Sequence, residues 1–379
     1  MDDGHRTPGQ LIAERLAARG WTGRVLALVL GMDETVVNKI ITGKRRMDAE
    51  SALAMGEVLG VAPEALMALE TSYQLAKARL VTRPDPARAV RAHLLGGLPI
   101  TEMIKRGWID ADDPRDVPRV SSELVKFFRA NSLEEIEILP HAAKRSNVAE
   151  ETTPVQLAWL YRVKEIATEM LAPRYTQSSA DAAVGRLRAL LPAAEEARKV
   201  PRILAESGIR FLLVEQLPGS KIDGVCFWLD ERSPVVAMTM RYDRIDNFWF
   251  VLRHELEHVR QRHGQTVITL DTELEGDRAG TESVSDEERV ANAAGAEFCV
   301  PSHQLDKFIA RKEPFFAERD ILGFAKTLGV HPGIVAGQLQ RRTGRYDRFR
   351  VHQVKIRAHV APGAIVDGWG DVAPIDPRQ

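Results

Sequence analysis

The run Phe248 to His263, FWFVLRHELEHVRQRH, constrains this chain more than any other stretch. Within it, His254-Glu255-Leu256-Glu257-His258 has the H-E-x-x-H spacing. Residues four apart on an α-helix share a face about one turn apart, so both imidazoles can reach one ion. Glu255, one step past the first His, can lean over an open metal position and take a proton from bound water. The bare pattern arises by chance in many helices, so the surrounding chain has to support it. Asp246 or Asn247 is the expected helix cap, and His263-Gly264 the expected end. Phe248, Val251, Leu252, Leu256 and Val259 form the expected buried stripe. Glu257 points away from the His face and reads as solvated.

Tetrahedral zinc with one open position needs a third protein ligand. The stretch SDEERVANAAGAEFCVP offers Asp286, Glu287 and Glu288, with Ser285 as cap. His263, five residues after His258, is the other candidate. Glu288 is favoured, because it stands one turn before Ala291 and Asn292. Small side chains at Ala291, Ala293, Ala294 and Gly295 suit a close helix–helix contact. Before the histidine helix, residues 209–214, 224–229 and 234–240 read as strands of a short mixed or antiparallel sheet. An edge strand there would hold an extended substrate by backbone pairing. Arg241 and Tyr242, at the end of the last strand, are candidates to steady an oxyanion, or plain sheet-edge residues.

At 379 residues and 44% hydrophobic content, the chain can bury two or three domain cores. Its formal net charge is −1, so no global field draws it to nucleic acid or membrane, and DNA binding must come from a local patch. Cys226 and Cys299 are the only cysteines, too few for a disulfide framework or a thiolate zinc site. They read as buried thiols in a reducing compartment. The N-terminus lacks the apolar core of a signal peptide, and no run approaches the ~18 apolar residues of a membrane span. A soluble, cytoplasmic protein is expected.

Residues 1–80 read as five short helices. Thr7 with Pro8 opens the first, which carries Leu11, Ile12 and Leu16 on one face and stops at Gly20. The second runs from about Gly23 to Leu30, and Asp33 caps the third, Glu34 to Ile41. Asp48 caps the fourth, which ends at Gly60, and Pro63 opens the fifth. Two helices about a Gly-Met-Asp turn, followed by Lys44-Arg45-Arg46, make a helix-turn-helix pattern. The second of the pair would present Thr35, Val36, Asn38 and Lys39 to the major groove. Lys44, Arg45 and Arg46 would bind phosphate, which positions without specifying. The bland alternative is a five-helix protein-binding module whose charges face water.

From Leu80 to about Val200 the chain is helical with proline breaks (Arg83-Pro84-Asp85-Pro86, Asp113-Pro114, Val117-Pro118, Pro140, Pro154, Pro173). Helices are expected over Ser122 to Asn131 and Pro154 to Leu171, then an Ala/Arg/Glu-rich piece to Val200. Trp108 and Trp159 read as core anchors. The segment carries no chemistry of its own, and the stretch from Pro362 onward reads as a loose tail.

The N-terminal segment, with its Pro-Gly start, Gly-Lys-Arg after the recognition helix and Leu-Gly-Val-x-Pro-Glu ending, resembles XRE-type helix-turn-helix domains of HigA-type antitoxins. One departure is Gly23-Arg24, where those domains usually have Gln and a polar residue; Arg24 would then brace the phosphate. The resemblance implies a homodimer on palindromic operator DNA. From about Ile209 to Gln340 the chain resembles the ImmA/IrrE family of zinc metallopeptidases. The strand leading to Met-Arg-Tyr-Asp, the Phe-Trp-Phe lead-in, H-E-x-x-H, E-x-x-A-N and a Val-Pro ending carry the likeness. It implies His254, His258 and Glu288 as zinc ligands and Glu255 as general base. Ala294 departs from the usual Phe two residues after the Asn, which bears on packing.

The expected fold is α+β and mostly α. A helix-turn-helix bundle occupies 1–80, a helical connector 81–200, a zincin-like small sheet with helices 201–345, and a tail 346–379. The expected function is a DNA-binding regulator with a Zn2+-dependent endopeptidase that cleaves a protein partner, repressor or toxin. The alternative is a non-catalytic repressor or antitoxin whose C-terminal half binds a toxin or senses a signal.

Overall fold

A computed structural model describes residues 6–82, 88, 92, 95–136, 152–268, 270–272, 274, 285–362 and 367–368. These fall into two units, Met1–Pro86 and Ala87–Gln379. The expected breaks at Arg83-Pro84-Asp85-Pro86 and Pro140, and most of the stretch from Pro362 onward, lie outside the described residues.

In the first unit, short polar side chains start most of the helices by satisfying N–H groups that have no partner inside the helix. Thr7 accepts from the Gln10 N–H at 3.1 Å while the Gln10 side chain accepts from the Thr7 N–H at 2.8 Å, opening α1 (Pro8–Arg19). Thr22 caps α2 (Gly23–Leu30), which closes at Gly31, in the left-handed conformation that glycine adopts without strain. Asp33 accepts from Thr35 and Val36 at 2.7 and 3.3 Å at the head of α3 (Glu34–Ile41). Asp48 does the same for α4 (Ala49–Leu59), and Pro63 starts α5 (Pro63–Val81). Each polar cap contributes about 1 kcal/mol. Ile12, Leu26, Val37, Ile40, Met55 and Leu66 meet in one core, so the five-helix bundle predicted from sequence is present.

The second unit is built on a five-stranded mixed sheet. Its strands are β1 (Arg210–Val214), β2 (Ile222–Trp228), β3 (Pro234–Met238), β4 (Leu270–Thr272) and β5 (Asp367–Gly368), in the order β4-β2-β3-β1-β5. Among the described residues, only the β1–β3 pairing is parallel. Side chains alternate across the pleat, and both faces are covered, which is why the strands read as nearly continuous apolar runs. Leu212, Val214, Val225, Phe227, Val235 and Ala237 face one apolar cluster. Helices α6 (Ile100–Lys105), α7 (Val117–Phe127) and α8 (Pro154–Glu169) share that cluster through Met103, Leu124 and Trp159. The Trp159 indole also donates to the Val214 carbonyl at 2.9 Å, and Arg106 donates to the carbonyls of Glu215 and Gln216.

The opposite face, with Phe211, Leu213, Cys226, Val236 and Met238, packs against a second cluster. Here lie α9 (Gln177–Arg188), α10 (Val200–Glu206), α11 (Ile245–Gln261), α12 (Asp286–Cys299), α13 (Ser302–Lys312), α14 (Glu318–Leu328), α15 (Pro332–Thr343) and α16 (Arg357–Val360). The chain is thus mostly helical with a small mixed sheet, as its pattern predicts.

Three expectations are corrected, and one strand is added. Helix α7 starts at Val117, not Ser122: Asp116 caps it, and Pro118 sits in the first turn, where a missing N–H costs nothing. Neither Asp246 nor Asn247 caps α11. The cap is Arg244, because Ile245 is drawn into the core and its N–H donates to the Val354 carbonyl at 3.1 Å. Asp246 instead lies in the first turn, paired with Arg244. The stretch after Pro362 is not wholly loose. Asp367 and Gly368 pair with Val214 and Leu213, and Asp367 accepts from Arg162 at 2.8 Å. Strand β4 is not foreseen from the sequence, because three residues flanked by polar ones carry too little alternation to register.

Candidate metal centre and nucleic-acid interface

Helix α11 runs beneath the sheet and against α12 and α15, and every residue from Ile245 to Val259 is buried. The predicted stripe of Phe248, Val251, Leu252, Leu256 and Val259 is buried, but so is the other face. That corrects the reading of Glu257, which is 5% exposed. It sits in an ionic network, accepting from Arg253 at 2.6 Å, Arg260 at 2.8 Å and Gln261 at 2.8 Å. Burial pushes its pKa up, and these donors more than offset that, leaving it below the usual carboxylate value. Close approach of α12 depends on Gly295, where a Cβ would lie 2.9 Å from the Phe250 carbonyl oxygen. Of the predicted small-residue face, Ala291 and Gly295 are buried, while Ala293 is exposed.

This packing brings His254, His258 and Glu288 together. The Nε2 atoms of the two histidines are 3.1 Å apart, and each is 3.4 Å from a Glu288 carboxylate oxygen. Ser285 accepts from the Glu288 N–H at 3.2 Å, fixing the first turn of α12 so that this carboxylate points inward. Asp286 and Glu287 face outward, with 86% and 64% of their side chains exposed. His263 stands behind His258, with their Nδ1 atoms 2.9 Å apart. That is the place of an outer partner that orients a ligating imidazole. Its loop is held by the Trp228 indole, which donates to the His263 carbonyl at 2.9 Å, and Arg262 takes a left-handed backbone (φ 60°) to close the helix.

One further residue joins the group. Asp271, on β4, lies 3.3 Å from His254 Nε2, and the donor atoms of His254, His258, Asp271 and Glu288 all fall within 4.8 Å of one another. Glu255 is fully buried beside them, and among the described residues neither of its oxygens has a hydrogen-bond partner; nor does Nδ1 of His254. A cavity of about 90 Å³ opens over the cluster, lined among others by Cys226, His258, His263, Asp271 and Glu288.

The buried groups of the cluster shift one another's proton affinities. Burial alone would lower the His254 pKa, yet the charges of Asp271 and Glu288 hold it up at about 9. Burial would raise Asp271, but His254 holds it down at about 2. Complete burial and the Asp271 charge push Glu255 well above the carboxylate range. Burial lowers His258. A bound divalent ion would compete with the proton on His254 and favour the charged form of Asp271. Donors bound tetrahedrally at zinc distances lie about 3.3 Å apart, close to the separations among His254, His258 and Glu288 and between His254 and Asp271. The donor set therefore fits such an ion. Arg241 and Tyr242 are engaged with each other, the guanidinium 5.0 Å from the ring centroid, and Arg241 reaches the Lys221 carbonyl at 3.5 Å.

In the first unit, Thr35, Asn38 and Lys39 are exposed on α3, and Lys44, Arg45 and Arg46 are exposed in the turn after it. Val36 is half-buried and packs against the bundle core. The N–H groups of Lys44 and Arg45 both donate to the Lys39 carbonyl, at 2.8 and 3.0 Å, which folds the basic turn back to the end of α3. Arg24 is open to solvent, 3.9 Å from Glu34.

With that geometry in place, the first unit is of the helix-turn-helix class. The helix-turn-helix family model matches residues 11–66, an XRE-type module that supports DNA binding and transcription regulation. A search of curated proteins finds no match to the chain. Among the described residues, no helix is long and apolar enough to cross a membrane.

Proposed function

We propose that this chain is a DNA-binding regulator with a zinc-dependent endopeptidase in its second unit. The observation that carries the reading is the triangle of His254, His258 and Glu288 donors, 3.1–3.4 Å on a side, with Glu255 buried beside it. The resemblance to ImmA/IrrE peptidases points the same way. His254, His258 and Glu288 would hold the ion. When bound, zinc supplies Lewis acidity to a scissile carbonyl and lowers the pKa of a coordinated water toward ~7. Glu255 accepts the proton of the attacking water and returns it to the leaving amine. Its high proton affinity suits the second of those roles. Among the described residues β4 is an outer strand of the sheet, beside the cluster, and its edge is where an extended protein substrate would pair. The first unit would bind operator DNA in the cytoplasm, as a homodimer on a palindrome, and the substrate would be a repressor or a toxin partner.

The test is Glu255→Gln. Zinc content should stay at the wild-type level while cleavage of a generic unfolded protein falls about 10²–10⁴-fold. Full cleavage by the variant would remove Glu255 as base. A second reading is a non-catalytic repressor or antitoxin with a structural ion. The nearness of Asp271, which offers a fourth protein donor, favours it, since structural zinc sites are closed by four ligands.

A further inference from the structure

Resting on the metal-centre reading above, we infer that Asp271 is a fourth protein ligand that fills the position hydrolysis needs open. The centre is then latent in this conformation. His254 Nε2 stands 3.1 Å from His258 and 3.3 and 3.4 Å from Asp271 and Glu288. The Asp271–His254 separation matches the edge of a zinc tetrahedron, about 3.3 Å, and all four donor atoms lie within 4.8 Å of one another, so Asp271 is within reach of an ion held by the other three.

Asp271 is held there by the sheet. It lies opposite Gly224 on β2, and the Leu274 N–H donates to Asp223 at 2.7 Å just beyond it. The side chain is 7% exposed, so it does not serve as a solvated surface carboxylate. The cavity above the cluster, about 90 Å³, has room for a few waters and not for a peptide. β4 pairs with the sheet through only three residues and with an irregular register against β2, so Asp271 sits on the least anchored element of the centre. Release of this one carboxylate vacates a coordination site and leaves His254, His258 and Glu288 in place.

Cobalt(II) absorption of the full-length chain tests this, with azide as the added ligand. Wild type should give a four-coordinate spectrum that azide does not alter. Asp271→Ala, and Asp271→Asn as the variant of matched shape, should bind zinc at least about tenfold more weakly and show an azide-dependent spectral shift. A wild-type spectrum that responds to azide as the variants do would overturn the fourth-ligand assignment while the metal centre stands. Equal zinc content in His254→Ala and wild type would instead sink the metal centre itself, and this inference with it.

Discussion

Gly224 and Glu255 meet so closely that a Cβ on Gly224 would stand 2.1 Å from Oε1 of Glu255. The H-E-x-x-H glutamate can take its place only because β2 carries a glycine beneath it. Gly224→Ala should displace the carboxyl and leave His254, His258 and Glu288 untouched. The expected result is wild-type zinc content with peptidase activity down about 100-fold, measured by metal analysis and a cleavage assay on one preparation. Unchanged activity would mean that Glu255 does its work from some other position.

Glu257 tests the buried network on the far side of the same helix. Its loss leaves Arg253, whose side chain is 9% exposed, as an uncompensated buried charge. Glu257→Ala should cost about 3–5 kcal/mol in denaturant unfolding. A cost under about 1 kcal/mol, the range of surface pairs, would show that water solvates the network.

Proton linkage at the centre has a definite sign. His254 keeps its proton up to about pH 9 in the metal-free fold, against 6.5 for an ordinary histidine. Its contribution to the stability of the metal-free chain is therefore full below about 6.5 and disappears as the pH rises through 9. A metal ion must displace that proton. At pH 7.5, zinc binding should release at least about one proton, and affinity should tighten about tenfold per pH unit up to 9. Titration calorimetry in two buffers of different ionisation heat reads the proton count; zero release would refute the linkage.

On DNA, the two halves of the predicted interface should behave differently. Alanine at Lys44, Arg45 or Arg46 should weaken binding to all sequences alike and reduce the salt slope by about 0.9 for each phosphate no longer neutralised. Asn38→Ala should cost about 1–3 kcal/mol at one base position only. Gel shifts on the DNA upstream of the chain's own gene, at several salt concentrations, separate the two effects. If Asn38→Ala with Lys39→Ala binds that DNA as wild type does, the recognition surface lies elsewhere.

Much of this was legible in the residues. Thr7, Asp33, Asp48 and Pro63 mark helix starts by local chemistry, so the first bundle could be read to within a residue or two. His254, His258 and Glu288 were legible because a helix fixes which side chains share a face. Asp271 was not, since its place depends on a three-residue strand finding β2 across more than forty residues of chain. Glu257 misled for a related reason. Periodicity tells which face of a helix is apolar, but not that a central helix has no solvated side, and only the positions of Arg253 and Arg260 reveal that its charge is matched.

The two-residue strand β5 has a consequence for handling the protein. By pairing with Leu213 and Val214 it turns β1 from an outer strand into an interior one, and Arg162 clamps it through Asp367. Trimming the chain ahead of Asp367 would bare the β1 backbone at Leu213 and Val214. An uncapped, apolar strand of that kind is a template for another copy to add to, so Asp367 and Gly368 act as a guard against aggregation.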